Sequence, residues 1–569
     1  MKRILQQYCS LFIWVVVTFS TNVAAYQPEK NEYSKMAQVT ADGKGAIASV
    51  NSIATRVGLD AFKHGGNAVD AAAAVAFALG VVDSPNSGIG GGCFIVVRWP
   101  NGKFEAIDGR EMAPAKAYRD MFLENGEYNS ALSRTGALAI GVPGSVAALE
   151  YLVKKGGKLR WQDAILPGAE IAEKGFVIEN YYANRLARSA DRLKLFAASA
   201  AIFLDAKGNP YSSGSVLEQK DLAKTYRALA KQGSAYFYKG DFAKAVETWM
   251  KKNHGLITAQ DFSNYEMRLR DPIVSEFKGY DIIGFPPPSS GGTHVAQLLN
   301  ILEYFDLKKM SQADRYHVLI EAMKLVFADR AHWMGDADFA PVPRGLLDKG
   351  YAKQLQQKIS LKKTSLVPQY NTPPRSDSDL FNRHTTHITV ADSSGIWVSI
   401  TTTLNTGFGS KVTIPGTGVL MNNQMDDFAA QPGKPNDFGL ISAEANKVEP
   451  RKRPLSSMSP TIVLKEGKPV LAVGAAGGPT IINQVAQVLI NRLALDMDLY
   501  DAVATARVHH QWKPDRAFVD SFLDENLRKD LEARGHVLSD WPPFGATQAI
   551  AWQSGKFISV AEPRLKSRM

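Results

Sequence analysis

Between Asn382 and Asn405 the chain reads Asn-Arg-His-Thr-Thr-His, then an alternation of polar and apolar residues, then Thr-Thr-Thr-Leu-Asn. A Thr-Thr pair opening a strand deep inside a chain is a strong constraint, because a threonine hydroxyl is a poor nucleophile unless a base stands beside it. Cutting the chain just before the threonine supplies that base, since the freed α-amine can take the hydroxyl proton. Thr385 is the candidate nucleophile and His384–Thr385 the candidate self-cleavage bond.

The flanking sequence suits such a junction. Residues 361–383 carry Lys362-Lys363, Pro368, Pro373-Pro374 and a Ser/Asp run, and read as an exposed flexible segment. Thr386 to Val390 alternates polar and apolar residues, Asp392-Ser393-Ser394-Gly395 makes a turn, and Ile396 to Leu404 returns as a second strand. That hairpin would bring Thr403 and Asn405 beside Thr385. A second hairpin, Thr461 to Leu464 with Pro469 to Val473, delivers Gly477-Gly478 to the start of an amphipathic helix, with Pro479 suited to its first position.

Upstream, residues 26 to about 45 are polar and read as a loose start. A helix from Asn51 to Lys63 stops at Gly65-Gly66, and Asn67 caps an alanine-rich second helix. Gly88-Ile89-Gly90-Gly91-Gly92 leads into a strand from Cys93 to Trp99. From about 137 to 360 the pattern is mainly helical, broken by the turn Pro286 to Gly292.

At 569 residues the chain exceeds one ordinary core, so two lobes or two subunits are expected; 45% apolar and 21% charged residues are those of a globular protein. Lys2-Arg3, an apolar stretch from Tyr8 to Phe19 and Val23-Ala24-Ala25 read as a secretory signal cut after Ala25, with an uncleaved membrane anchor as the alternative. Its loss lowers the formal charge from +10 to +8, because Lys2 and Arg3 leave with it. No dense Lys/Arg block remains, so neither nucleic-acid nor membrane-surface binding is expected, and no stable membrane insertion is expected once the signal is cut. Cys9 departs too, and Cys93 alone cannot form an internal disulfide.

Several short motifs bear on chemistry. Glycines at a helix start let backbone amides face a cleft, as an oxyanion hole requires, although Gly477-Gly478 alone also reads as a tight strand-to-helix turn. Met421 to Phe428 packs amides and two carboxylates together. There Asp427 could bind an ammonium with Gln424 beside it, or the run could be a solvated turn. Leu455 to Pro460 offers Ser456 and Ser457 as hydroxyl donors for a carboxylate or as capping residues, and Arg110 could pair bidentately with a carboxylate or form a surface ion pair. The glycine cluster near 90 is no dinucleotide fingerprint, because its third glycine position is Cys93. Neither His384/His387 nor His509-His510 has zincin spacing; no metal and no cofactor are expected.

Together, Thr-Thr-His, Thr-Leu-Asn-Thr, Asn-Asn-Gln-Met-Asp-Asp-Phe, Lys-Arg-Pro-Leu-Ser-Ser-Met-Ser-Pro-Thr and Gly-Gly resemble, in order and spacing, the small subunit of gamma-glutamyltransferases. Ser87 to Phe94, Arg110 to Pro114 and Gly141 to Gly144 resemble the large subunit. The resemblance implies an α+β protein, the four-layer αββα sandwich of N-terminal nucleophile hydrolases. It implies a signal peptide (1–25), a large subunit (26–384) and a small catalytic subunit (385–569), assembled as a periplasmic or secreted heterodimer. It also implies transfer of the γ-glutamyl group of glutathione and related donors to water or to amino acid or dipeptide acceptors. In it Thr385 is the nucleophile and Thr403 orients it; Arg110, Ser456 and Ser457 hold the α-carboxylate; Asn405, Gln424 and Asp427 hold the α-ammonium; Gly477 and Gly478 form the oxyanion hole. Pro432 to Lys452 matches a lid loop, in which Phe438 stands where well-studied bacterial members have a tyrosine bonded to the asparagine at 405. Pro479 replaces a common Ser or Thr. A β-lactam side-chain (glutaryl-type) acylase and a non-maturing exported binding protein are the alternatives; retention of Asp427 argues against the first, since an unpaired buried carboxylate would be costly.

Overall fold

A computed structural model describes residues 32–381, 388–541 and 545–568. The signal segment and the residues Asn382 to His387, including the His384–Thr385 bond, lie outside the described residues.

Two antiparallel sheets organise the protein. The first contains β1 (Ala37–Val39), β2 (Gly45–Ala48), β3 (Gly92–Arg98), β4 (Phe104–Gly109), β5 (Arg268–Arg270), β8 (Ile388–Asp392) and β9 (Trp397–Thr403), in the order β1-β2-β8-β9-β3-β4-β5. The second runs β6 (Ile273–Phe277), β7 (Tyr280–Gly284), β10 (Thr461–Lys465), β11 (Lys468–Ala476), β12 (Ala546–Gln553), β13 (Lys556–Ala561).

Alternation along these strands decides what each face touches. Ile47, Ile95, Val97, Ile107, Val390 and Val398 face a core shared with helices α1 (Ser52–Lys63), α2 (Ala68–Val82) and α3 (Ser145–Gly156). Their neighbours Ala46, Val96, Ala106, Ala391 and Trp397 face Ile283, Ile462, Ala472, Ile550 and Phe557 of the second sheet. On that sheet Val463, Leu471, Val473 and Ala549 face α4 (Gly291–Leu302), α5 (Gln312–Trp333) and α6 (Thr480–Leu489).

The predicted caps occur. Asn51 accepts from the amides of Ile53 and Ala54, and Asn67 forms a capping box with Asp70 that opens α2. Both hairpins occur as well; Ile388 pairs with Ile400 and Val390 with Val398, while Thr461 pairs with Val473.

Two expectations need correction and one needs an addition. The start is not loose throughout, because Ala37–Val39 pairs with Gly45–Ala48 as an edge ribbon. The region 137–360 is mainly helical as expected, but β5, β6 and β7 also lie inside it, too short for a periodic signal to stand out among long helices. Residues 361–381 have no helix or strand but are anchored, with Val367 and Phe381 buried. Thr364 Oγ1 donates to Glu321 of α5, and Trp333 Nε1 donates to the Asn371 carbonyl. The segment before the candidate cleavage bond is thus tied down by tertiary hydrogen bonds.

His294 in α4 is fully buried; its Nδ1 meets Gln297 Oε1 at 2.7 Å, and burial pushes the imidazole down to about 3. A folded pKa below the unfolded value near 6.5 means stability present above 6.5 and lost as pH falls toward 3, where only the unfolded chain takes the proton. Replacing His294 by Gln is expected to remove this dependence. The variant should gain on the wild type by about 1.4 kcal/mol per pH unit between pH 6 and pH 4. Urea unfolding across that range measures it, and a constant difference between the two proteins would overturn the assignment.

Candidate active site

Strand β9 ends at Thr403, opposite Gly92 of β3. The glycine cluster ahead of β3 exists for close approach: a Cβ on Gly91 would sit 1.9 Å from the Thr403 carbonyl oxygen, and one on Gly90 would sit 2.1 Å from that of Leu420. After β9 the chain turns sharply. Asn405 takes φ +79°, its amide donates to Thr403 Oγ1 (2.7 Å), and its Nδ2 donates to the Asn423 carbonyl (3.0 Å). This stitches the end of β9 to the acidic turn.

That turn is not solvated. Asn422 Oδ1 accepts from the Gly141 amide (2.9 Å), and its Nδ2 donates to the Gly90 and Gly141 carbonyls (both 2.8 Å). A short 3-10 turn, Gln424–Asp427, follows. Gln424 Nε2 donates to Asp427 Oδ2 (2.8 Å), and Asn446 donates to the Asp427 carbonyl.

Arg110, just past β4, is fully buried rather than a surface ion-pair residue. Its Nη2 donates to Asp427 Oδ2 at 2.6 Å and to the Leu455 carbonyl at 3.1 Å, and its Nε donates to the Pro454 carbonyl at 3.0 Å. The expected carboxylate binder and the expected ammonium binder are therefore paired with each other. An amino acid's own two charges could replace that pairing, with the carboxylate taking Arg110 and the ammonium taking Asp427. Beneath, Asp108 accepts from the Arg110 amide (2.8 Å) and holds the guanidiniums of Arg270 and Arg453. Burial works against the Asp108 anion, but those two cations keep it below the ordinary carboxylate range.

Ser456 and Ser457 adjoin Arg110 through Leu455. The Ser456 amide donates to the Pro288 carbonyl (2.8 Å), and its Oγ accepts from the Met458 amide (3.1 Å). Ser457 Oγ accepts from Nη2 of Arg330 at 2.9 Å. Neither serine hydroxyl has an acceptor for its own proton among the described residues, so both can donate to an anion.

The glycine pair lies between β11 and α6, with Gly477 at φ +132° and Gly478 at φ +60°. Their amides donate to no acceptor among the described residues. Pro479 caps α6 instead of opening it, and the bracing hydroxyl comes one place later: Thr480 Oγ1 donates to the Gly477 carbonyl (2.8 Å). The Phe438 ring packs on Gly478, where a Cβ would lie 2.7 Å from Phe438 Cδ1. Gln511 donates to the Phe438 carbonyl, and the Asp437 amide donates to Asp426 Oδ2 (2.9 Å). The loop 432–452 thus touches both the glycine pair and the acidic turn. Without a tyrosine at 438, its hold comes from ring packing, from backbone contacts and from side chains elsewhere in the loop: Asp437 pairs with Arg134 (3.1 Å), Glu444 accepts from Arg119 (2.8 Å), and Asn446 donates to the Asp427 carbonyl.

Two buried groups at this site escaped sequence reasoning. Glu111, beside Arg110 (3.6 Å), has no hydrogen-bond partner for either carboxylate oxygen among the described residues; burial pushes it up to about 7 against the pull of Arg110. Arg330 lies near the end of the long helix α5 within Ala-Asp-Arg-Ala, where nothing in the pattern marks it as facing a pocket. Thr385 itself lies outside the described residues.

Comparison with known proteins places the chain in a family. A sequence model of the family described as gamma-glutamyltranspeptidase matches residues 54–569. The glutathione hydrolase proenzyme of Escherichia coli (strain K12) is 42% identical over 527 residues, covering 92% of this chain and 90% of its own. That of Bacillus subtilis (strain 168) is 38% identical, covering 95% and 93%. In structure, the Helicobacter pylori gamma-glutamyltranspeptidase is similar with TM-score 0.55 and 39% identity, over 57% of this chain and 94% of that one. The cephalosporin acylase of Bacillus halodurans reaches TM-score 0.80 at 26% identity, over 90% and 92%. The α+β fold is that of these structures, and the chain belongs to the gamma-glutamyltranspeptidase family.

Proposed function

We propose that this protein is an exported glutathione hydrolase and γ-glutamyltransferase that cuts itself at His384–Thr385 and works as a heterodimer of residues 26–384 and 385–569. The observation that carries the substrate assignment is the pairing of buried Arg110 with partly buried Asp427, 2.6 Å apart, beside two serine hydroxyls with protons to give. It matches the zwitterionic head of a γ-glutamyl donor, with Arg110, Ser456 and Ser457 on the α-carboxylate and Asp427, Gln424 and Asn405 on the α-ammonium. The layering we infer is αββα, supported by one apolar core between the two sheets and one beyond each.

In this reading Thr385 Oγ attacks the γ-carbonyl carbon while the Thr385 α-amine takes the hydroxyl proton. The tetrahedral oxyanion is held by the amides of Gly477 and Gly478, and the amine proton passes to the departing amine, leaving a γ-glutamyl ester. Water or the amine of an amino acid or dipeptide then attacks that ester. Support for Thr385 comes from sequence distance and register: it stands three positions before Ile388, and Thr403 stands three positions after Ile400, the partner of Ile388.

Similarity to a cephalosporin acylase makes a glutaryl-transferring enzyme the competing chemistry. A glutaryl group has no ammonium, so binding it would pull Arg110 away from Asp427 and leave a largely desolvated carboxylate without its counter-charge. The deciding experiment follows anilide release from γ-glutamyl and glutaryl anilides, with and without glycylglycine. Release from the γ-glutamyl compound is expected, giving glutamate alone and a γ-glutamyl dipeptide when glycylglycine is present. Release confined to the glutaryl compound would reverse the assignment.

A further inference from the structure

Arg330 is 2% exposed, yet no carboxylate lies within ion-pair distance of it among the described residues. Its Nε donates to Ser290 Oγ at 2.9 Å and its Nη2 to Ser457 Oγ at 2.9 Å; both partners are neutral hydroxyls. Buried guanidiniums are ordinarily matched by an anion, because desolvating a lone charge is expensive. The other buried guanidiniums near the site are so matched: Arg110 meets Asp427 and Glu111, and Arg270 and Arg453 meet Asp108. Arg330 is the exception, and it is fixed in place, since α5 carries it and Ser290 sits directly before α4. Burial pushes its guanidinium down to about 10, with Asp427 as the opposing charge, so it remains a cation at neutral pH.

We propose that Arg330 is a positioning residue for the substrate α-carboxylate, acting through Ser457 and through its own uncompensated charge. An arginine can only donate hydrogen bonds, so Ser457 Oγ must accept from it, which turns the hydroxyl proton outward to an anion. Ser456 is prepared in the same way by the Met458 amide, but without a charge. The charge matters because Arg110 and Asp427 cancel each other. Arg330 then supplies the net positive potential that favours a carboxylate arriving beside Ser457. The counter-ion of Arg330 is in this sense the substrate itself.

This inference rests on the γ-glutamyl reading, and its test separates the two. Wild type, Arg330→Met and Arg330→Lys are assayed with γ-glutamyl anilide and with 4-aminobutyryl anilide, which keeps the ammonium and lacks the α-carboxylate. Arg330→Met should raise the KM for γ-glutamyl anilide at least tenfold with kcat per active site within about threefold, and should leave the poorer donor nearly unchanged. Arg330→Lys, retaining charge without the planar fork, should recover part of the loss. If Arg330→Met fails to fold, Arg330→Lys carries the test, and should give a smaller rise in the same KM while leaving the 4-aminobutyryl donor nearly unchanged. An unchanged KM, or an equal loss with both donors, overturns the proposal and leaves Arg330 a packing residue. Wild-type protein that cleaves no γ-glutamyl anilide would instead overturn the underlying reading.

Discussion

Thr385→Ala is expected to remain one chain through purification and to release no anilide from γ-glutamyl donors above the rate of a control without enzyme. Both losses have the same cause. The Thr385 hydroxyl would attack the preceding carbonyl, forming an ester as the His384–Thr385 amide breaks, and water would hydrolyse that ester to open the chain; the same hydroxyl, now beside its own α-amine, would attack the donor. Removing the nucleophile of a hydrolase costs about a millionfold in kcat, so any residual activity should be invisible in an ordinary assay. Denaturing electrophoresis distinguishes one band from the two fragments 26–384 and 385–569 expected of the wild type. A Thr385→Ala protein that still splits at this bond would mean that another protease cuts there, and the proposed chemistry would fail.

Asp427→Ala should mature normally but lose activity toward γ-glutamyl donors. Its carboxylate is 2.6 Å from Arg110 and 2.8 Å from Gln424 Nε2, and would pass from the guanidinium to the donor ammonium on binding. Loss of a charge-assisted hydrogen bond costs about 1.5–3 kcal/mol, or roughly tenfold to over a hundredfold in kcat/KM. The loss should be much smaller for glutaryl anilide, which has no ammonium to miss. Arg110→Lys should be impaired as well, because one ammonium cannot reach Asp427 and the Leu455 and Pro454 carbonyls as a single planar fork does. Steady-state kinetics with both donors measures this, and near-wild-type kcat/KM for Asp427→Ala on the γ-glutamyl compound would refute the zwitterion site.

Local chemistry made a good part of this protein legible in its sequence. Asn51 and Asn67 announce their helices because a short polar side chain satisfies the first free amides of a helix wherever it stands. The hairpin of β8 and β9 is legible because alternation and a Ser-Ser-Gly turn are short-range signals. The same holds for Gly477-Gly478, whose positive φ values suit residues without a Cβ. The motif order from Arg110 to Gly478 carried the family resemblance as well.

Tertiary structure decided what depends on residues far apart in the chain. Arg110 and Asp427 are 317 positions apart, and nothing in either neighbourhood says that they pair; read alone, each is an ordinary surface charge. The short strands β5 to β7 are strands because their partners in β4 and β10 offer unpaired edges, which outweighs the helical character around them. Residues 361–381 read as loose because Pro, Ser and Asp favour no regular element, yet α5 gives them hydrogen-bond partners. Arg330 was invisible for the same reason: a helix pattern says which face is buried, not that a buried arginine will end with two serine hydroxyls and no anion among the described residues. Burial sets the cost of that charge, and only the packing of α4, α5 and the Ser456-Ser457 segment around it determines where its counter-charge must come from.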